Sequence, residues 1–250
     1  MSSDDPVNLD EVIVTGLEPQ TWYAFVQGQL ELLRSHVQER EKQIDESVKA
    51  YEKGRRGTDV EQDDDGYPIV ILEEYSGIEG PPSELREIFE FYYPNLQRRS
   101  LLIVLFSFFE RQLDQLCQVF AKEQHLSIVH TDLKGKGIDR ARLYLQKVMG
   151  LPLSNSVNWQ EIKRIQRVRN VVVHNDAKLA SVDKDLLEYV EKAKELCRVY
   201  KSYYDGDIEE VDILEGYLLY VLESFDSYCV EVNKAIGSTF PQESQTNEAH

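Results

Sequence analysis

Apolar residues recur at three- and four-residue steps along most of the chain, the pattern of helices that each turn one face towards a core. Near-heptad spacing from Thr21 to about Lys53 predicts a long N-terminal helix, which either lies across a bundle or packs on another copy of itself. The helix predicted from Asn95 to about Glu123 has the broadest apolar face. That face consists of Leu102, Leu105, Phe106, Phe109, Leu113, Leu116, Cys117 and Phe120.

Other segments predict shorter helices and a few strands. Helical patterns cover residues 84–93, 138–149, 157–173, 182–203 and 215–236. Short apolar alternations predict strands at Val12–Val14, Tyr67–Leu72 and Val211–Ile213, of which the first two could pair. We therefore expect a mostly α fold, an up-and-down helical bundle with a long N-terminal helix and a small β element.

The Gly80-Pro81-Pro82 break predicts a boundary between an N-terminal extension, residues 1–80, and a helical domain, residues 81–236. Within the extension, residues 53–66 have no apolar periodicity and many carboxylates, which favours a solvated linker. Ser83 is the expected cap of the next helix, and Pro94 is expected to kink or divide it. The polar tail, residues 237–250, is predicted to be disordered.

The formal charge of −17 argues at first against a partner as acidic as nucleic acid. Residues 81–180, however, contain 15 basic and 10 acidic side chains, and they are the only net-positive third of the chain. These cations either draw substrate anions or belong to solvated helix faces.

Targeting signals and cysteine chemistry are not indicated. No apolar run reaches membrane-spanning length, and Met1–Asp5 lacks the features of a signal peptide, so a cytoplasmic location and no membrane contact are expected. Cys117, Cys197 and Cys229 are predicted to be reduced core residues.

The strongest candidate for chemistry is the end of the helix predicted at 157–173. Arg169, Asn170 and His174 place a cation, an amide and an imidazole within six residues. Five residues of regular helix turn two side chains about 140° apart. Arg169 and His174 therefore converge only if the helix frays or ends near His174, which the residues after Val173 would permit.

This Arg-polar-x3-His pattern resembles the signature of the HEPN superfamily of helical domains, many of which are metal-independent ribonucleases. Two further stretches, Leu102–Leu116 and Leu133–Leu145, resemble the same superfamily. Residues 208–213, which lead into an apolar helix from Gly216, resemble the ending of such domains. The resemblance covers about residues 84–236 and makes the predicted helical domain HEPN-like.

The resemblance implies an endoribonuclease of toxin or phage-defence type that cuts RNA without a metal or other cofactor. Arg169 would stabilise the charged phosphorane, His174 would move protons, and Asn170 would hold a phosphate or fix the imidazole tautomer. Two protomers of the superfamily commonly combine their motifs, so a homodimer is implied, and an antitoxin or regulatory protein is a further implied partner. Asp176 replaces the tyrosine that some of these toxins carry two residues after the histidine.

Further residues are candidates for supporting roles. Glu110 lies on the apolar face of its helix, where it either orients Arg169 or His174 or forms a structural ion pair. Asn175 supports the motif, and Lys134, Lys136 and Arg140 are candidates for contacts with substrate phosphates. His125 and His130 are expected to be ordinary loop histidines, and no metal site is predicted.

Two alternatives remain open. The chain could be a non-catalytic helical domain that binds RNA, a nucleotide or a protein, or a structural partner that acts through its long helix. In either case His174 would be a histidine at a helix C-terminus and Arg169 a salt-bridge residue.

Overall fold

The computed structural model describes residues 18–57, 61–62, 64–66, 68–70, 72–179, 184–201 and 209–241. Most of them are helical, and the expected mostly α fold with a long N-terminal helix and small β elements is confirmed. The α-helices of the described residues are α1 (Pro19–Gly54), α2 (Pro82–Arg86), α3 (Tyr93–Glu123), α4 (Gly137–Lys147), α5 (Val157–Asn175), α6 (Lys184–Lys192) and α7 (Tyr217–Thr239).

The strands are short, and all pairs between them are antiparallel. They are β1 (Arg56–Gly57), β2 (Glu61–Gln62), β3 (Pro68–Val70), β4 (Glu73–Tyr75), β5 (Ile78–Gly80), β6 (Cys197–Lys201) and β7 (Glu209–Ile213). They form three sheets with the orders β1-β4-β5, β2-β3 and β6-β7.

Two predictions for the N-terminal third need correction or qualification. Residues 53–66 were expected to be a linker, but β1 and β2 lie there, because backbone pairing with β4 and β3 does not require an apolar pattern. The partner of β3 is β2. The strand predicted at Val12–Val14 lies outside the described residues.

The chain divides into two compact units that alternate along the sequence. Unit 1 comprises the residues up to Leu32, Leu105–Lys163 and the residues from Leu222 onwards, and unit 2 comprises Leu33–Val104 and Arg164–Val221. Each unit combines residues from both sides of position 80. That residues 81–236 form a domain of their own stays a prediction.

Unit 1 has an aromatic core. The rings of Phe109 and Phe225 stack with their centroids 4.3 Å apart, and the ring of Tyr228 lies 5.2 Å from that of Trp159. The indole Nε1 of Trp22 donates a hydrogen bond to the carbonyl oxygen of Gln112, at 3.2 Å. All the residues of the apolar face predicted for α3 are buried.

Unit 2 has a smaller core in which the rings of Tyr51, Tyr75 and Phe89 contact each other. Its helix after Gly80 differs from prediction at both ends. Pro81 rather than Ser83 precedes the first turn of α2, and a π-helix covers Glu87–Tyr92 before α3 begins. Pro94 has no N–H and crowds the carbonyl group four residues earlier, which disfavours a regular α-helical turn before it. The wider turns of the π-helix accommodate this, as expected of a proline that divides a helix.

The predicted helix over 182–203 is wrong in its second half. α6 ends at Lys192, and β6 pairs with β7 from Cys197 opposite Ile213 to Lys201 opposite Glu209. Val199 and Tyr200 are residue types that favour strands. Pairing with β7 stabilises this segment as a strand more than its helical spacing of apolar residues stabilises it as a helix. The strand predicted at Val211–Ile213 is confirmed as part of β7. The closing helix reaches Thr239, so the first residues of the predicted tail are helical.

Two further expectations concern the cysteines and the membrane. Cys117, Cys197 and Cys229 are buried and form no disulfide, as predicted. Burial raises the pKa of the Cys117 and Cys229 thiols, which keeps them protonated. Among the described residues, no helix is long and apolar enough to cross a membrane.

Candidate functional site

The Arg-Asn-x3-His segment occupies the last two turns of α5. Arg169 and Asn170 are half-buried, whereas His174 and Asn175 are exposed. The apolar positions that precede them form the buried face that the spacing predicts. These positions are Trp159, Ile162, Ile165, Val168 and Val172.

The polar residues of this segment are in different environments. Nη1 of Arg169 donates a hydrogen bond to Oδ1 of Asn170, at 3.1 Å. The side chain of His174 makes no hydrogen bond or ion pair with any residue that the structure describes. The amide therefore helps to position the guanidinium, and the imidazole is open to solvent and to any ligand.

Fraying of the helix before His174 is not found. α5 continues to Asn175, so Arg169 and His174 belong to one helix and their side chains point about 140° apart. A single copy of α5 thus presents the cation and the imidazole on different faces.

The end of α5 is held by backbone hydrogen bonds. Asp176 and Ala177 have φ values of 52° and 62°, and this left-handed turn lets the Ala177 N–H donate to the Val171 carbonyl oxygen at 3.1 Å. The Ala177 carbonyl then accepts a hydrogen bond from the Val211 N–H of β7, at 2.9 Å. His174 consequently lies at a helix end that is fixed to a strand.

Many cations of the net-positive third have partners inside the protein. The ion pairs join Arg98 to Glu41, Arg99 to Glu210, Lys163 to Asp139 and Arg167 to Asp185. Arg142 donates to the Leu153 carbonyl oxygen and lies 4.6 Å from the ring centroid of Trp159. Lys134 and Lys136 are exposed and have no ion pair with any described residue. The positive charge counted in the sequence is therefore partly compensated.

Glu110 lies in unit 1, half-buried, beside the first residue of α4. A Cβ atom added to Gly137 would be 2.5 Å from Oε1 of Glu110, and Gly137 has a φ of 53°. The carboxylate therefore lies at the N-terminus of α4, where the helix dipole favours negative charge. This contact accounts for a carboxylate on the apolar face of α3. A role of Glu110 in orienting Arg169 or His174 stays a prediction.

His130 is not the loop histidine that the sequence suggested. Its side chain is buried, and Nε2 lies 3.3 Å from Oδ1 of Asp114. Burial lowers the pKa of His130 and raises that of Asp114, and the charge of Arg140 lowers both. Arg140 is half-buried and acts electrostatically on this pair, and its predicted contact with substrate phosphates stays a prediction. The sequence gives no signal for this cluster. Asp114, His130 and Arg140 are far apart along the chain, and their proximity depends on the path of the loop between α3 and α4.

Comparison of the chain with protein-family models gave no match, and comparisons with curated proteins and with solved structures gave none either. The resemblance to HEPN domains therefore stays a prediction from the residues of the chain. Within the described parts of the chain, no group of three or more His, Cys, Asp or Glu side chains is placed to hold a metal ion.

Proposed function

We propose that this protein is an endoribonuclease of toxin or phage-defence type, with Arg169 and His174 as catalytic residues at a dimer interface. The observation that supports the proposal most strongly is the environment of His174. It is a solvent-exposed imidazole without a side-chain partner in the described part of the chain, on a helix end fixed to β7. Arg169 and Asn170 lie one turn earlier, joined by a hydrogen bond.

These groups match what RNA cleavage requires. The 2′-hydroxyl oxygen attacks the adjacent phosphorus, the bond to the 5′-oxygen breaks, and the products carry a 2′,3′-cyclic phosphate and a 5′-hydroxyl. An imidazole can take the proton from the 2′-hydroxyl or give one to the leaving 5′-oxygen. A guanidinium can bind two phosphate oxygens while negative charge develops on them. No step of this route needs a metal ion.

A second copy of the chain supplies what one copy lacks. Arg169 and His174 point about 140° apart on one helix, so a single protomer does not direct both at the same phosphate. In a two-fold dimer, Arg169 of one protomer and His174 of the other can face the same bond, and the symmetry creates two such sites.

Cleavage of a labelled RNA oligonucleotide in excess chelator tests the proposal. We expect wild-type protein to leave 2′,3′-cyclic phosphate ends and to spare the same sequence made of DNA. His174→Ala and Arg169→Ala should each lower the cleavage rate by at least about a hundredfold. Arg167→Ala is the matched control, because Arg167 is exposed on the same helix and pairs with Asp185. Equal cleavage by all variants, or none by the folded wild type, would refute the proposal.

Mixing the two inactive variants tests the dimer. A heterodimer of His174→Ala and Arg169→Ala has one site in which both residues are intact, if each site takes one residue from each protomer. An equal mixture after subunit exchange should then recover roughly a quarter of the wild-type rate, since half of the dimers are mixed and each has one working site. A mixture that stays inactive after exchange would place both residues in one protomer.

One observation favours a second candidate function, a non-catalytic helical domain that binds a protein. Arg98, Arg99, Lys163 and Arg167 are in intramolecular ion pairs, so fewer cations face a nucleic acid than the sequence suggests. On this alternative, RNA binding is weak, and His174→Ala changes nothing that can be measured with RNA.

A further inference from the structure

Unit 2 contains a cavity of about 300 Å³ that the motif does not include. It is lined by the π-helix, by the first turns of α3 and by the hairpin of β6 and β7. A cavity of this volume is large enough for a small organic group.

One side of the cavity is aromatic. The rings of Phe91 and Tyr200 stack at 13° with their centroids 6.2 Å apart, and Tyr92 also contributes to the lining. Phe91 and Tyr200 are half-buried, and Tyr92 is 51% exposed. In a stacked pair one face of each ring is turned to the other ring, and the opposite, electron-rich face is the one that can attract a cation.

The charged groups of the lining are predominantly negative. Glu87, Glu210 and Asp212 contribute three carboxylates, and Arg99 is the cation among the lining residues. Nη2 of Arg99 lies 3.0 Å from Glu210, and Nε of Arg198, outside the lining, lies 2.9 Å from Asp212.

Glu87 is the carboxylate of this group whose charge is not compensated. It accepts a hydrogen bond from the neutral hydroxyl of Tyr200, and it has no ion-pair partner among the described residues. The pKa of Tyr200 is raised by burial, by this hydrogen bond and by the charges of Glu87 and Asp212. The surroundings of the hydroxyl thus oppose further negative charge.

We propose that this cavity binds an alkylated ammonium group, with Glu87 as its counter-ion and the aromatic rings around its alkyl substituents. Aromatic rings beside a carboxylate suit a large, weakly hydrated organic cation. An anion would be repelled by the uncompensated charge of Glu87, and a hard metal ion prefers a full shell of oxygen ligands to aromatic rings. The group can belong to a free small molecule or to a methylated lysine of another protein.

Titration calorimetry with choline and with its uncharged carbon isostere, 3,3-dimethylbutan-1-ol, tests the charge requirement. The two have nearly the same shape, so we expect choline to bind saturably and the alcohol to bind at least about tenfold more weakly. A peptide with trimethyllysine, compared with its unmethylated form, distinguishes the two sources of the group. Tighter binding of the methylated peptide than of choline indicates a protein partner, and the reverse indicates a free ligand.

Two variants of the π-helix locate the site. Glu87→Gln keeps the shape and removes the charge, so the affinity for choline should fall roughly tenfold while that for the alcohol stays the same. Glu90→Gln is the matched control, because Glu90 lies outside the lining and pairs with Arg86. Thermal unfolding of both variants verifies that they fold. Equal affinities for choline and the alcohol, no binding of either, or unchanged choline binding by folded Glu87→Gln would each overturn the proposal.

Discussion

His174 and His130 are the same residue type in opposite surroundings. His174 is exposed at the end of α5, and its side chain has no partner among the described residues. His130 is 5% exposed, lies 3.3 Å from Asp114, and its ring is 6.4 Å from that of Tyr144. The first can meet a ligand, and a substitution there should have little effect on the fold. The second is held by its neighbours, and a change there affects stability first.

A sequence motif identifies residues by their spacing, whereas the burial and contacts of those residues depend on the folded structure. The spacing between Arg169 and His174 marks His174 as a candidate catalytic residue. The sequence predicts no metal site at His130, because no partner with ligand spacing is close to it in the chain. Because His130 is buried, it is the more important of the two histidines for stability, whereas His174 stays the candidate for chemistry. Four experiments test whether the exposed and the buried histidine differ in this way.

The largest effect is expected from His174→Ala on the rate of RNA cleavage. Loss of a general acid or base lowers such rates by about a hundredfold to ten-thousandfold. Because the side chain is exposed, the free energy of unfolding should change by less than about 0.5 kcal/mol. Initial rates on a labelled oligonucleotide, together with urea denaturation, measure both quantities. A large loss of stability would make His174 a structural residue like His130 and would remove the contrast.

The second effect is on stability and concerns His130→Asn. The substitution removes a buried ring and takes the imidazole away from the half-buried Asp114 carboxylate, so we expect a loss of about 1–3 kcal/mol. The rate per folded molecule should stay within about twofold of wild type, since only the loss of a positioned acid or base is expected to change it strongly.

His125→Asn is the matched control for this loss. His125 is exposed in the same loop and has a φ of 49°, which asparagine tolerates well. Its substitution should change the free energy of unfolding by less than about 0.5 kcal/mol. Similar losses in the two variants would show that burial does not distinguish these histidines.

The helices were predictable where one apolar face is long and continuous. The face of α3 and most of the near-heptad positions of α1, such as Val26 and Ile44, are buried as predicted, because a 3.6-residue period over many turns has few alternatives. The segment after Lys192 was not predictable in this way. Its choice between helix and strand depends on β7, which begins eight residues after β6 ends.

The candidate site was predictable only as a local pattern. Arg169, Asn170 and His174 are neighbours in the sequence, so their position at the end of α5 followed from the helix itself. The pair of Asp114 and His130 and the cavity beside Glu87 are formed by residues from different elements. Their distances depend on tertiary packing, which a single sequence does not display.

The third effect is smaller and concerns the end of the helix below His174. Asp176 is exposed with a φ of 52°, a conformation that glycine adopts at less cost. Relief of the left-handed backbone outweighs the entropy that glycine adds to the unfolded chain. Asp176→Gly should therefore stabilise the protein by roughly 0.5–1 kcal/mol without a change in the cleavage rate. Asn175→Gly is the control, because Asn175 is still helical and glycine there should give no gain. Stabilisation by both substitutions would indicate that α5 ends before His174.

The smallest effect is the contribution of His130 to the pH dependence of stability. Burial lowers the pKa of His130 below its ordinary 6.5, so the unfolded chain takes up a proton before the native protein does. Stability should therefore fall as the pH decreases from about 6.5, until the native histidine is also protonated. Asp114 acts in the opposite sense at lower pH, because its raised pKa lets the native state bind a proton before the unfolded chain does.

Free energies of unfolding from about pH 7 to about pH 5 measure this slope. His130→Asn should flatten it, since the variant has no imidazole at this position. Asp114→Asn should extend the fall to lower pH, because the charge of Asp114 raises the pKa of His130 and its removal lowers that pKa further. A slope that His130→Asn leaves unchanged would contradict the assignment of this fall in stability to the buried histidine.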